Sequence, residues 1–242
     1  MRALETNQHK VHLTNILMDV YKNSFLSEVL GFKGGTAGML FYDLPRFSVD
    51  LDFDFVKKDQ DLIIKATQEI NNIVESKYTV VDKSTKLNTL FWVLSYGKGF
   101  SRVKIEVSTR EVPHNRYLLQ NYYGTSIKLI TISDMIAHKM VAILDRAITA
   151  NKDIFDTHYF LKSKYAGDIN YDIIKHRTGL EPKDFYIKLL GFLDKVNNKN
   201  ILSGLGEVLT DSQKDWAKAK LLVELKELIK RQIDLLPKTL TH

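Results

Sequence analysis

Residues 48–56 read Ser-Val-Asp-Leu-Asp-Phe-Asp-Phe-Val. Val49, Leu51, Phe53 and Phe55 alternate with Asp50, Asp52 and Asp54. A strand from Ser48 to Val56 would therefore bury one apolar face and line the other with carboxylates. Like charges side by side on a strand disfavour one another's ionisation and destabilise the pairing. A divalent cation offsets that cost, because converging hard oxygen ligands are what Mg²⁺ or Mn²⁺ requires. The D-x-D spacing points Asp50 and Asp52 the same way, so the pair can hold one metal or bridge two. Asp54 lies one pleat further on and is displaced from that point. Taken alone, the alternation also suits a polar sheet face in water over a buried one.

Upstream stands Phe32-Lys33-Gly34-Gly35-Thr36, which reads as a short strand ending in a glycine turn and leading into a brief helix that Pro45 stops. Glycines let backbone approach a phosphate closely, and amides at a helix start can donate to its oxygens. Thr36 could add a hydroxyl. The turn is no P-loop, since the lysine precedes the glycines and no G-K-[ST] follows. An isolated turn of this kind also serves merely to supply positive φ. Its place just ahead of the carboxylate strand, where phosphates would meet a metal, favours the phosphate reading. Downstream, Val103, Ile105 and Val107 alternate with Lys104 and Glu106. If that strand neighbours the first, Glu106 completes a carboxylate triad with Asp50 and Asp52, suited to in-line displacement at phosphorus.

The remaining pattern divides the chain. Apolar positions at helical spacing predict one or two helices between His9 and Leu30 and another over Asp59–Ser76. Strands are expected at Tyr78–Asp82, Thr89–Tyr96 and Arg102–Ser108, the last two joined as a hairpin by Gly97-Lys98-Gly99. His114–Thr125 reads as a connector. Beyond it the period is helical: from an N-cap at Ser133 to about Thr149, then Lys152–Ser163, Tyr171–Arg177, Pro182–Val196 and Ser212–Leu235. The 242 residues thus suggest an α/β domain over 1–125 and a helical bundle over 126–242. The absence of cysteine excludes disulfides and thiolate zinc sites and fits a reducing cytoplasm. No apolar run is long enough to span a bilayer. A formal charge of +6 is compatible with a polyanionic partner but common among ordinary proteins. The basic face of the last helix, with Lys214, Lys218, Lys226 and Lys230, reads first as a solvated surface.

The run Phe32-Lys33-Gly34-Gly35-Thr36-Ala37, followed by Leu44-Pro45-Arg46-Phe47-Ser48-Val49-Asp50-Leu51-Asp52-Phe53, resembles the AbiEii/AbiGii toxin family of polymerase-β-like nucleotidyltransferases. The shared pattern is a glycine turn, a spacer and two acids flanking an apolar residue, with the Arg46-Phe47-Ser48 approach. Glu106 matches the family's third acid. Lys139 and Arg146 match a later helix, and Lys152-Asp153-Ile154-Phe155-Asp156 matches an R-D-x-x-D segment with Lys in place of Arg. The resemblance spans about residues 30–162.

What the resemblance implies is an α+β fold: a nucleotidyltransferase-type mixed β-sheet flanked by helices, then a C-terminal helical bundle contributing to the active-site cleft. It implies the toxin of a bacterial toxin–antitoxin or phage-defence pair, one that transfers NMP from an NTP to tRNA beside a separate winged-helix antitoxin. Asp50, Asp52 and Glu106 would hold Mg²⁺ or Mn²⁺. Gly34, Gly35 and Thr36 would cradle phosphate, with Lys33, Arg46, Ser48 and Arg146 as further nucleotide contacts. Lys139 and Asp153 would complete the pocket; helix-surface ion pairs are the alternative for them and for Asp156. A protein or small-molecule acceptor, or a catalytically silent nucleotide-binding regulatory module, are the rival functions.

Overall fold

The computed structural model describes residues 3–57, 59–99, 101–145 and 151–237. They form two compact units, one ending at Thr131 and one beginning at Ile132.

The first unit opens with helix α1 (Ala3–Lys22), in which Leu13, Ile16, Leu17, Val20 and Tyr21 repeat at one-face spacing and are buried. Asn23 accepts from the Leu26 amide and caps α2 (Ser24–Val29), which leads directly into β1 (Leu30–Lys33). Helix α3 (Gly34–Phe41) follows, then β2 (Asp50–Phe55). Helix α4 (Gln60–Glu75) is capped by Asp59 and buries Ala66, Ile70 and Val74. Strands β3 (Thr79–Lys86), β4 (Thr89–Ser95), β5 (Val103–Ser108), β6 (Tyr117–Tyr122) and β7 (Thr125–Ile130) complete a seven-stranded mixed sheet ordered β3-β4-β5-β2-β1-β7-β6. Central β2 lies antiparallel to β1 and parallel to β5. One face of the sheet, with Phe32, Leu51, Phe53, Ile105 and Leu129, is fully buried. The opposite face carries the aspartates.

The hairpin of β6 and β7 replaces the connector expected over His114–Thr125. Tyr117–Tyr122 lacks the apolar alternation that marks a strand, because β6 is a sheet edge whose residues are mostly exposed. Its two-residue turn is also disguised. Tyr123 (φ 48°) and Gly124 (φ 79°) both adopt the left-handed region, where Asn-Gly is the usual signal. Strand β7 pairs in parallel with β1 through Phe32 and Leu129, so the sheet unit runs past residue 125 to Thr131.

The second unit is helical: α5 (Ile132–Asp145), α6 (Asn151–Lys162), α7 (Tyr171–Thr178), α8 (Pro182–Leu193), α9 (Asp211–Trp216) and α10 (Leu222–Leu235), with short 3₁₀ turns between α8 and α9. Pro182 occupies the first turn of α8, and Thr210 with Gln213 forms a capping box ahead of α9. Helix α5 starts at Ile132, which places Ser133 inside the first turn. The long helix expected over Ser212–Leu235 is interrupted by a π-helical turn at Ala217–Leu221. The fold class is α+β, as the family resemblance implies.

Candidate active site

Pairing between the parallel strands β2 and β5 sets Asp52 directly beside Glu106 and Asp50 beside Lys104. Partners in register share a sheet face. The third acid on a later strand is thus a lateral neighbour of the D-x-D pair. Asp50, Asp52 and Glu106 are all half-buried. Oδ1 of Asp50 is buried and has no hydrogen-bond partner among the described residues. An orphaned carboxylate oxygen is costly without a counter-charge.

The glycine turn is fitted to these carboxylates. Gly34 has φ 80°, and a β-carbon there would lie 2.0 Å from Oδ2 of Asp52. At Gly35 a β-carbon would lie 2.8 Å from both an Arg46 guanidinium nitrogen and the Ser48 hydroxyl. The two glycines therefore let β2, the Arg46–Ser48 approach and the start of α3 close on one point. Helix α3 begins without a side-chain cap. Its first-turn amides present the positive end of the helix beside the acids.

Several residues expected to contact phosphate also make structural contacts within the protein. Thr36 is fully buried and its hydroxyl donates to the Asp50 carbonyl, tying α3 to β2. Lys33 Nζ lies 2.5 Å from Oδ1 of Asp54, whose Oδ2 accepts from Asn115 Nδ2 at 2.9 Å and the Tyr117 hydroxyl at 2.8 Å. Burial and the Asp54 charge push the Tyr117 phenol far above its ordinary range, so it stays a donor. Arg46 and Ser48 are buried, and Arg46 Nη1 donates to the Phe47 carbonyl at 3.1 Å.

His9, Asn115 and Tyr117 escaped sequence reasoning. The His9 ring is fully buried, with Nε2 2.9 Å from the Val49 carbonyl and Nδ1 2.9 Å from the Tyr96 hydroxyl. Burial lowers its pKa, so the neutral ring donates to Val49 and accepts from Tyr96, fixing the chain just before Asp50. A lone histidine on an amphipathic helix gives no sequence signal of this.

In the helical unit, Lys139 Nζ sits 3.0 Å from Oδ1 of Asp153 and 2.9 Å from Oδ2 of Asp156. All three side chains are largely buried, so they form an internal ion triad in place of a surface pair. Arg146 lies outside the described residues.

For a divalent ion, the donor chemistry fits: three carboxylates on one sheet face, one with an orphaned oxygen, against an uncapped helix start. Among the described residues, no three acidic or histidine side chains stand grouped at metal-binding distances. No described helix is long and apolar enough to cross a membrane.

Comparison with known proteins gives the geometry a family. No curated protein sequence matches. The structure resembles that of JHP933 from Helicobacter pylori, with a TM-score of 0.61, 20% identity, and 97% of this chain and 95% of that one covered. It also resembles MenT4, a nucleotidyltransferase toxin from Mycobacterium tuberculosis, with a TM-score of 0.57, 15% identity, and 96% and 89% covered. At these identities the likeness establishes the fold. Residues 15–227 match the family described as nucleotidyl transferase AbiEii toxin, type IV TA system. The chain belongs to the AbiEii family of nucleotidyltransferase toxins of type IV toxin–antitoxin systems.

Proposed function

We propose that this toxin transfers a nucleoside monophosphate from an NTP to a hydroxyl at the acceptor end of tRNA, in a reaction that needs Mg²⁺ or Mn²⁺. The carrying observation is the register of Asp52 with Glu106 directly beside Gly34. A carboxylate pair and a close-approach backbone turn share one patch of sheet, which supports a site for a metal-bound phosphate chain.

Asp50 and Asp52 would hold the divalent ion, Asp50 through its orphaned Oδ1. When bound, that ion supplies Lewis-acid stabilisation of charge on the phosphoryl oxygens and on the departing pyrophosphate. The first-turn amides of α3 and the glycine turn receive the triphosphate. Glu106 takes the proton of the acceptor hydroxyl as its oxygen bonds to the α-phosphorus. The bond from that phosphorus to the bridging oxygen breaks, and pyrophosphate leaves. Lys33 and Asp54 hold the strand before the turn, while Thr36 and His9 fix the backbone on either side of Asp50.

The family pairs its toxins with antitoxins. We place a separate winged-helix antitoxin beside this one, in the cytoplasm and in the service of phage defence. The test is incubation with each labelled NTP, Mg²⁺ or Mn²⁺ and total bacterial tRNA, beside an Asp52→Asn control. Metal-dependent label in tRNA with wild type alone establishes the reaction and its base. Label appearing only in protein or a small molecule moves the acceptor elsewhere, and no label with any NTP overturns the reading.

A further inference from the structure

The register extends the active site into a row that crosses five strands. Lys33 pairs with Asp52, Asp52 with Glu106, Glu106 with Phe91, and Phe91 with Ser84. All five side chains belong to one sheet face, because cross-strand partners point the same way. Phe91 is the odd member. Its strand, β4, contributes Leu90, Trp92 and Leu94 to the buried face, whereas Phe91 stands half-exposed on the polar one.

Two cations flank it. Lys86 Nζ sits 4.9 Å from the Phe91 ring centroid, and exposed Lys104 lies in register with Asp50 on one side and Val93 on the other. Among the described residues neither lysine has a carboxylate within ion-pair distance. An aromatic ring with ammonium groups around it that no carboxylate holds is the arrangement by which single-stranded nucleic acid is held: base on ring, phosphate on lysine.

We propose that Phe91 is the stacking platform for the 3′-terminal nucleobase of an RNA acceptor, with Lys86 and Lys104 holding its backbone phosphates. The inference rests on the nucleotide-transfer reading above and names where that acceptor lies. Adjacent strands are about 5 Å apart. A base stacked on Phe91 therefore brings its own ribose hydroxyl over the neighbouring Glu106, the group assigned to take the proton. The exposed contact of Lys86 with the ring is weaker than base–aromatic stacking, so an arriving base displaces the ammonium towards phosphate. Stacking reads no base edge, which suits a toxin acting on many acceptors that share a 3′ end.

The test is a binding cycle that needs no turnover. Fluorescence anisotropy would measure a 5′-labelled single-stranded oligoribonucleotide, and the same strand with an abasic 3′ terminus, on wild type, Phe91→Leu and Phe91→Tyr. Leucine keeps apolar volume and removes the π face; tyrosine keeps both, so a merely structural role would not rank the two this way. The expectation is roughly tenfold weaker binding for Phe91→Leu, near-wild-type binding for Phe91→Tyr, and no further loss when the terminal base is also removed. Additive losses, or wild-type binding indifferent to the terminal base, overturn the platform. Base-dependent binding through Phe91 without nucleotide transfer sinks the transfer reading and leaves the platform standing. Transfer to RNA that ignores Phe91 does the reverse.

Discussion

Oδ2 of Asp52 lies 2.0 Å from where a β-carbon of residue 34 would stand, too close for any side chain there, so the carboxylate and the turn are built as one object. Gly34 also holds φ at 80°, a conformation that costs an L side chain about 1 kcal/mol. Gly34→Ala should therefore displace Asp52 as well as strain the turn. A shift of about 1 Å in a reacting group costs on the order of 100-fold in rate. Initial rates of nucleotide transfer should fall by that much, with only a few degrees lost from the melting temperature. A Gly34→Ala enzyme with wild-type rates would show that the turn and the carboxylate work separately.

The half-buried acids predict a stability response to metal. Without a divalent ion, Asp50→Asn and Asp52→Asn remove like-charge repulsion and should leave stability unchanged or raise it by up to about 1 kcal/mol. With Mg²⁺ or Mn²⁺ at 100 times its dissociation constant, wild type gains about 2.7 kcal/mol by mass action. Thermal melts with metal and with EDTA should separate by several degrees for wild type and coincide for both variants. Equal metal-dependent shifts in all three proteins would place the ion elsewhere.

The strands that alternate cleanly, β2 and β5, were legible because burial on one face leaves a period-two signature, and Glu106 could be paired with the D-x-D motif on that ground. The β6–β7 hairpin was not. An edge strand has little to bury, and Tyr123 in a left-handed turn hides the signal that Asn or Gly would give. The glycine turn was visible as a motif, but its closest partner was not: no sequence rule says that Asp52 covers Gly34. Nor does spacing reveal that Asp54, identical in type to its neighbours on the strand, is engaged by Lys33, Asn115 and Tyr117. Those contacts come from β1 and from the β6 region, and only the sheet order joins them.

Asp54 should accordingly behave unlike Asp50 and Asp52. It is fully buried and accepts from three donors. Asp54→Ala leaves a Lys33 ammonium, an amide and a phenol without their acceptor. Removing one partner of a buried charge pair costs about 3–5 kcal/mol, and the lower end applies here because Lys33 is 29% exposed and can turn to water. Urea unfolding should show a loss of about 3 kcal/mol with or without metal. A stable Asp54→Ala protein that had lost its metal response would make Asp54 a ligand instead.

Lys139 offers the parallel case in the helical unit. One ammonium serves Asp153 and Asp156, whose side chains are 3% and 0% exposed. Lys139→Met removes the charge and keeps the stem, taking an ammonium from two buried carboxylates at once. The expected loss is about 3–5 kcal/mol. Combining Lys139→Met with Asp156→Asn should recover part of it, because one of the two charges that the Lys139 ammonium offsets is gone. If urea titrations instead found Lys139→Met as stable as wild type, the triad would have no structural weight, and its charges would have to serve ligands.

His158 sets a pH dependence whose sign follows from its burial. Burial lowers its pKa below 6.5 and outweighs the Glu224 carboxylate, 3.0 Å from Nε2, which raises it; Lys162 lowers it further. Trp216 packs on the same ring at 4.8 Å and donates its Nε1 to Glu224, so the imidazole has little access to water. The unfolded chain takes up the proton at a higher pH than the folded one. This contribution to stability is therefore complete above about pH 6.5 and is lost as pH falls towards the folded-state pKa. Glu224 itself is held down at about 2 in the folded protein, so it stays ionised beside the ring throughout that window. Between pH 7 and 5 the unfolding free energy should fall with decreasing pH, and His158→Gln should flatten that fall while retaining a donor to Glu224. An unchanged slope in His158→Gln would assign the titration to His9 and His12, whose pKa values burial also lowers.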